Sequence, residues 1–189
     1  TGSEGFIGSH LLEKLVKKNY KVKALCLYNS FNTWGWLDTL DKEILQDVEI
    51  VSGDIRDKDL ILKNTKKMDY VINLAALIAI PYSYEAVESF IQTNIIGLNN
   101  ILSASLKNNC RVIHTSTSEV YGNAESFPIK EENKVFAKSP YAATKIAGDQ
   151  LCFSYNRSFN LPVTVIRPFN TFGPRQSLRA IIPTIITQM

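Results

Sequence analysis

Tyr141 and Lys145 stand four residues apart in Tyr141-Ala142-Ala143-Thr144-Lys145. On a helix that spacing sets both side chains on one face, one turn apart, so an ammonium can lie beside a phenol. An unperturbed Tyr titrates near ~10, and drawing it toward ~7 takes roughly 4 kcal/mol, part of which a nearby cation supplies. Tyr141 is therefore a candidate general base. Upstream, Thr117, Ser118 and Glu119 bring two hydroxyls and a carboxylate in Thr115-Ser116-Thr117-Ser118-Glu119-Val120-Tyr121-Gly122. A hydroxyl to hold a substrate oxygen, a phenol to take its proton and a carboxylate for a further transfer make up an acid–base site.

A second chemical signal opens the chain. Gly2, Gly5 and Gly8 recur every third residue, and the helical pattern that follows carries Ile7, Leu11, Leu12, Leu15 and Val16 on one side. Glycines at this spacing allow a tight turn and close backbone approach, while the helix points its amino end at a phosphate.

The elements that must position these groups follow from periodicity. Val22–Leu27, Val48–Val51, Asp69–Ala76, Arg111–Thr115 and Val163–Arg167 read as short apolar strands, and Tyr70 to Ala76 is the nearly continuous run of a strand covered on both faces. Helical patterns alternate with them, a long one over residues 85–108 with Phe90, Asn94, Leu98, Ile101 and Leu102, and one from Tyr141 that puts Lys145, Gly148 and Cys152 on its side. Strands alternating with helices predict an α/β doubly wound parallel sheet with helices on both faces. Such a sheet binds ligands at the carboxyl ends of its strands, where Thr117, Ser118 and Glu119 fall.

Composition excludes other classes. The chain has 189 residues, 45% hydrophobic and 21% charged, which suits one soluble domain. A net charge of +3 with scattered lysines predicts no nucleic-acid partner. No apolar run approaches ~20 residues and no basic-then-apolar leader is present, so a cytoplasmic protein with no membrane partner is expected. Cys26, Cys110 and Cys152 lie far apart with no Cys-x-x-Cys, predicting reduced, buried thiols and no metal site.

The glycine loop, the Tyr-x-x-x-Lys pair and Arg167-Pro168-Phe169-Asn170-Thr171-Phe172-Gly173-Pro174-Arg175-Gln176 occur in the order found in a known family. Together they resemble the extended short-chain dehydrogenase/reductase family, in its NAD-dependent epimerase/dehydratase group. The segment from Asn29 to Asp38, with Trp34 and Trp36, is similar to a stretch of bacterial nucleotide-sugar 4,6-dehydratases. Those two Trp are a packing anchor or part of a ligand wall.

The resemblance implies a Rossmann-like, NAD(P)-binding domain over 1–189, a piece of a longer protein whose first strand and most of the substrate-binding cap lie outside it. It assigns cofactor contacts to Gly2, Gly5, Phe6, Ile7, Gly8, Asp54, Ile55, Leu74, Ala75, Ala76, Asn94, Tyr141, Lys145 and Pro168. It assigns substrate contacts to Tyr82, Thr117, Asn170 and Arg175, and catalysis to Thr117, Ser118, Glu119, Tyr141 and Lys145. Asn94 in the family also supports the helix geometry near the catalytic Lys.

An acidic residue at the end of the Val22–Leu27 strand would hold the ribose of NAD, and an Arg would accept the extra phosphate of NADP. Cys26, Leu27 and Tyr28 stand there, so the residues leave NAD or NADP open, with NAD favoured. The positively charged nicotinamide would add to Lys145 in drawing down the Tyr141 pKa.

The implied reaction is 4,6-dehydration of a nucleotide-diphosphate sugar: transient oxidation at C4, loss of water across C5 and C6, and hydride return to C6. Thr-x-Glu before Val-Tyr-Gly resembles dehydratases and nucleotide-sugar decarboxylases. Ser118 departs from one dehydratase branch that has Asp there, which leaves proton delivery to the C6 oxygen to Glu119 or water. A 4-epimerase or UDP-glucuronate-type decarboxylase is the nearest alternative, and a non-catalytic dinucleotide sensor a remote one. A homodimer through a four-helix bundle is the expected assembly.

Overall fold

The computed structural model describes residues 1–124 and 126–189. It forms two compact units, Thr1–Asp54 with Asn170–Met189, and Ile55–Phe169.

In the first unit, helix α1 (Phe6–Lys17) leads into strand β1 (Val22–Leu27), a 3₁₀ turn Gly35–Thr39, the short helix α2 (Lys42–Leu45) and strand β2 (Val48–Gly53). β1 and β2 pair in parallel from Val22 opposite Val48 to Leu27 opposite Gly53. Leu12 of α1 packs with Ala24, Cys26, Leu37, Leu40 and Ile44 in one apolar core. Leu37 is fully buried, so it, rather than the half-exposed Trp34 and Trp36, anchors the loop after β1. Ile7, expected on the apolar side of α1, is exposed because it lies in the first turn at the glycine loop.

The second unit holds helix α3 (Lys58–Asn64), strand β3 (Tyr70–Asn73), helices α4 (Ile80–Glu85) and α5 (Val87–Phe90), a wide π-type turn Ile91–Gly97 and helix α6 (Leu98–Asn108). Strand β4 (Arg111–Thr115), a 3₁₀ turn Ser118–Tyr121, helix α7 (Pro140–Phe159) and strand β5 (Val163–Ile166) complete it. β4 lies between β3 and β5, parallel to both. Its core includes Phe90, Leu98, Ile101, Leu102, Val112, Val120 and Cys152, each fully buried. In the first unit's last segment, helix α8 (Ile181–Gln188) follows the Pro174–Arg175 turn.

Several expected boundaries move. The strand expected to reach Ala76 stops at Asn73, and beyond it the N–H and C=O of Leu77 both bond to the Asn94 amide. The helix over residues 85–108 is interrupted by the π-type turn that carries Asn94. The added residue per turn rotates this polar side chain inward. Tyr82, assigned to the substrate, lies with Pro81 to Tyr84 in α4, with the proline in the first turn where no N–H is needed.

Gly8 shows how tightly the amino-terminal loop is built. A Cβ there would lie 2.0 Å from the Gly2 carbonyl oxygen, whereas one at Gly5 would come no closer than 3.4 Å. Gly8→Ala is therefore expected to lower stability by about 3 kcal/mol, the upper end of ordinary overpacking, and Gly5→Ala by far less. Urea midpoints for the two variants check this, and equal shifts would contradict the packing argument.

Candidate active site

Helix α7 begins at Ser139, whose side chain accepts from Ala142 N–H at 3.0 Å, and Pro140 occupies the first turn. Both are favoured helix-start residues, so the register of α7 is set at its first turn. Tyr141, Lys145, Gly148, Asp149 and Cys152 then fall on the buried side. Gly148 is needed there, since a Cβ would meet Leu98 at 3.0 Å and the His114 Nε2 at 3.3 Å.

Of the expected catalytic residues, Thr117 and Glu119 act on the Tyr141 phenol. Thr117 accepts from Glu119 N–H at 3.2 Å, and its side chain lies beside the Tyr141 phenol. Phe90 packs edge-on against the Tyr141 ring at 6.2 Å and touches Tyr82 on its other side. Lys145 donates to the Thr115 carbonyl at 2.6 Å. Asn94, joined to Leu77 through both ends of its amide, also donates to Thr144 at 3.1 Å, tying the chain after β3 to α7. Glu119 is exposed, and Ser118 is half-buried with its N–H bonded to the Pro168 carbonyl at 3.0 Å.

The electrostatics differ from the expectation for Tyr141. Burial raises its pKa, the neighbouring Thr117 side chain works against that rise, and the negative Glu119 adds to it. The same burial pulls Lys145 down to about 8, with Asp149 opposing the fall. A low-dielectric site disfavours the charged form of either group. The lowering expected for Tyr141 is thus absent from the protein alone, because burial and the Glu119 charge outweigh the Thr117 side chain.

Several residues of this centre were not foreseen. Asp149, only 1% exposed, pairs through Oδ2 with the Arg167 Nε and Nη2, each at 2.9 Å. Arg167 Nη1 donates to the Tyr121 hydroxyl at 2.8 Å, so one guanidinium joins α7 to the 3₁₀ turn that carries Ser118 and Glu119. The i, i+4, i+8 series Tyr141, Lys145, Asp149 was visible in the sequence and would have indicated this carboxylate. His114 is also buried. Its Nδ1 meets Asn73 Nδ2 at 3.3 Å, its Nε2 has no hydrogen-bond partner, and burial with the Lys145 charge lowers its pKa to about 3. It is neutral at physiological pH.

In the other unit, the glycine loop fits a dinucleotide pyrophosphate. Gly2 has φ +67°, the α1 amino terminus has no side-chain cap, and no acidic residue occupies its first turn. Orphan N–H groups and the helix dipole there favour an anion. Gly5, Phe6, Ile7 and Gly8 are the residues placed to hold it. Asp54 follows β2 and is half-buried, while Asn170 is exposed. Arg175 reaches α1, bonding Glu13 at 3.0 Å and Ser9 at 3.4 Å. In the second unit, Ile55 is buried, and Leu74, Ala75 and Ala76 are half-buried beyond β3.

The three cysteines are free and buried, as expected. Among the described residues no cluster suited to a metal ion occurs, and no helix is long and apolar enough to cross a membrane.

Two predictions arise from this centre. Arg167→Met strands the Asp149 charge, and breaking a buried pair in this way costs about 3–5 kcal/mol. Denaturation should show that loss, and Arg167→Met with Asp149→Leu should recover most of it; no recovery would mean the pair is not the source. For Lys145, the buried-charge cost is present in full below pH 8, where folded and unfolded chains are both protonated. Above it the folded chain sheds its proton first, so stability rises between the folded value of about 8 and the ordinary 10.5. Urea titrations at pH 7 and pH 10 should therefore show wild type gaining on Lys145→Met at the higher pH; a constant difference would contradict the assignment.

A family model described as GDP-mannose 4,6 dehydratase matches residues 1–189. The UDP-N-acetyl-alpha-D-glucosaminuronate decarboxylase of Bacillus cytotoxicus is 34% identical over 180 residues, covering 93% of this chain and 54% of the relative. Among solved structures, a UDP-N-acetylglucosamine 4-epimerase from Methanobrevibacter ruminantium aligns at TM-score 0.90 and 34% identity, covering 98% of this chain and 60% of that one. A DesIV dTDP-glucose 4,6-dehydratase double mutant from Streptomyces venezuelae, with NAD bound, aligns at 0.87 and 30%, covering 99% and 60%. The chain thus has their Rossmann-like fold and spans somewhat over half the length of each.

Proposed function

From the premise that the chain belongs to the GDP-mannose 4,6 dehydratase family, we propose that the protein is an NAD(P)-dependent nucleotide-sugar 4,6-dehydratase. The observation that carries this reading is the buried Tyr141 phenol with the Thr117 side chain beside it and the Glu119 charge acting on it. Residues 1–189 form its dinucleotide-binding domain. A nicotinamide dinucleotide, when bound, supplies the acceptor and donor of the C4 hydride.

The chain's own residues do the proton work. Thr117 holds the sugar 4-hydroxyl and Tyr141 takes its proton. In a dry site any positive charge placed beside the phenol acts strongly on it, offsetting the burial that raises its pKa. Lys145 holds a ribose hydroxyl while its backbone bond to Thr115 fixes its reach. Once C4 is a ketone the C5 proton is acidic, and Glu119 serves the elimination of water from C6 with Ser118 beside it. Gly2, Gly5, Phe6, Ile7 and Gly8 take the pyrophosphate, Asp54 and Ile55 the adenine, and Leu74, Ala75, Ala76, Asn94 and Pro168 line the cofactor. Tyr82, Asn170 and Arg175 face the substrate. A cytoplasmic homodimer that uses α6 and α7 belongs to the same reading, supported by the exposed Phe153 on α7 and Ile96 in the π-type turn that leads into α6.

The test is incubation with GDP-, UDP- and dTDP-linked sugars, followed by product mass. Loss of one water from one nucleotide sugar is expected, and Glu119→Gln should abolish that loss while still reducing cofactor transiently. An isomer of unchanged mass would replace the reading with 4-epimerisation, and loss of carbon dioxide with decarboxylation. Full dehydration by Glu119→Gln would remove Glu119 from the chemistry.

A further inference from the structure

The end of β1 carries no acidic residue of its own: Cys26 and Leu27 close the strand and Tyr28 follows. In dinucleotide folds a carboxylate at that strand end accepts from the adenosine ribose hydroxyls. The structure brings one there from elsewhere in the chain. Glu4, inside the glycine loop, accepts the Leu27 N–H on Oε1 at 3.0 Å, so its carboxylate sits at the strand terminus.

The placement is held by several bonds. Ser3 N–H meets the Leu25 carbonyl at 3.4 Å, and Trp36 N–H donates to the Glu4 carbonyl at 3.0 Å. Gly35, at φ +57°, lets that second contact form, because a Cβ there would lie 2.9 Å from the same oxygen. The carboxylate is not saturated by them. Oε2 is shielded from solvent and has no hydrogen-bond partner, and Oε1, which accepts from Leu27 N–H, keeps a lone pair to spare. A buried carboxylate oxygen without a donor is costly, and a hydroxyl brought to the strand end would satisfy it.

We propose that Glu4 takes the place of the strand-end acid and selects NAD over NADP. Its carboxylate accepts from the adenosine ribose hydroxyls, and its charge repels the additional phosphate of NADP, which carries close to two negative charges at neutral pH. This rests on the dinucleotide-binding reading above. It deepens that reading by identifying the residue that discriminates between the two cofactors.

The test is direct binding, with no turnover required. Oxidised NAD and NADP are each titrated into nucleotide-free protein while the emission of Trp34 and Trp36, next to Glu4, is followed. Wild type should prefer NAD. Glu4→Gln keeps the side-chain length and an acceptor for Leu27 N–H but removes the charge, and should narrow the NAD/NADP affinity ratio by about 10-fold, the scale of one relieved like-charge contact. Both affinities are measured on one protein, so a general loss of folding cancels from the ratio. An unchanged ratio in Glu4→Gln, or a wild type that prefers NADP, overturns the proposal and leaves dinucleotide binding standing. Failure of wild type to bind either overturns both.

Discussion

The Arg167 guanidinium is the constraint on which the rest of the acid–base centre depends. It leaves the end of β5, pairs with Asp149 on the buried side of α7 and donates to Tyr121 in the 3₁₀ turn after β4. Three segments that meet only through tertiary structure are thereby set at fixed separations. The distance between the Tyr141 phenol and the Thr117 hydroxyl is a consequence, since one lies on α7 and the other caps the turn. Such a pair contributes little net stability, because both charges lose water to form it. Its value is geometric: a carboxylate with two partnered guanidinium nitrogens can adopt few orientations.

Burial then sets the charge states around that frame. Tyr141, Lys145, His114 and Asp149 are all buried, and their charges respond to one another. Lys145 lowers His114, while Asp149 keeps Lys145 from falling further. The protein alone holds a protonated phenol, a neutral imidazole and a lysine near its titration range. A centre in that condition gains most from a further positive charge at the phenol, because the low dielectric that penalises each ionised group also amplifies each pairwise interaction.

Much of this was legible in the sequence where chemistry and local geometry coincide. Four-residue spacing placed Tyr141 and Lys145 on one helix face, apolar runs located all five strands, and the glycine spacing marked the α1 amino terminus. What was not legible depended on partners distant in the chain. Nothing near Asp149 in sequence indicates Arg167, and His114 sits in an apolar strand whose pattern it barely interrupts. Asn94 was read as polar on an apolar side, but the π-type turn that directs it at Leu77 and Thr144 arises from satisfying those groups, not from helix propensity. The Tyr141 pKa was misjudged because the cation was weighed and the loss of water was not.

The adenosine end of the fold shows the same dependence on distant partners. Glu4 carries no signal of its own in the glycine loop, and the segment from Asn29 to Asp38 reads only as a loop whose two Trp anchor packing or wall a ligand. In the structure each explains the other. The loop is closed on itself by Asp38, which accepts from the Thr33 hydroxyl and from Trp34 N–H, and by Asn29, which donates to the Thr33 carbonyl at 2.9 Å. So closed, it presents Trp36 N–H to the Glu4 backbone, and only a glycine at position 35 lets the two segments approach that closely. The Glu4 carboxylate is then left one direction to take, toward the open N–H of Leu27. A negative charge at the end of β1 is therefore a joint property of the glycine loop and the Trp-containing segment, and a larger residue at Gly35 would displace it by pressing on the Glu4 backbone.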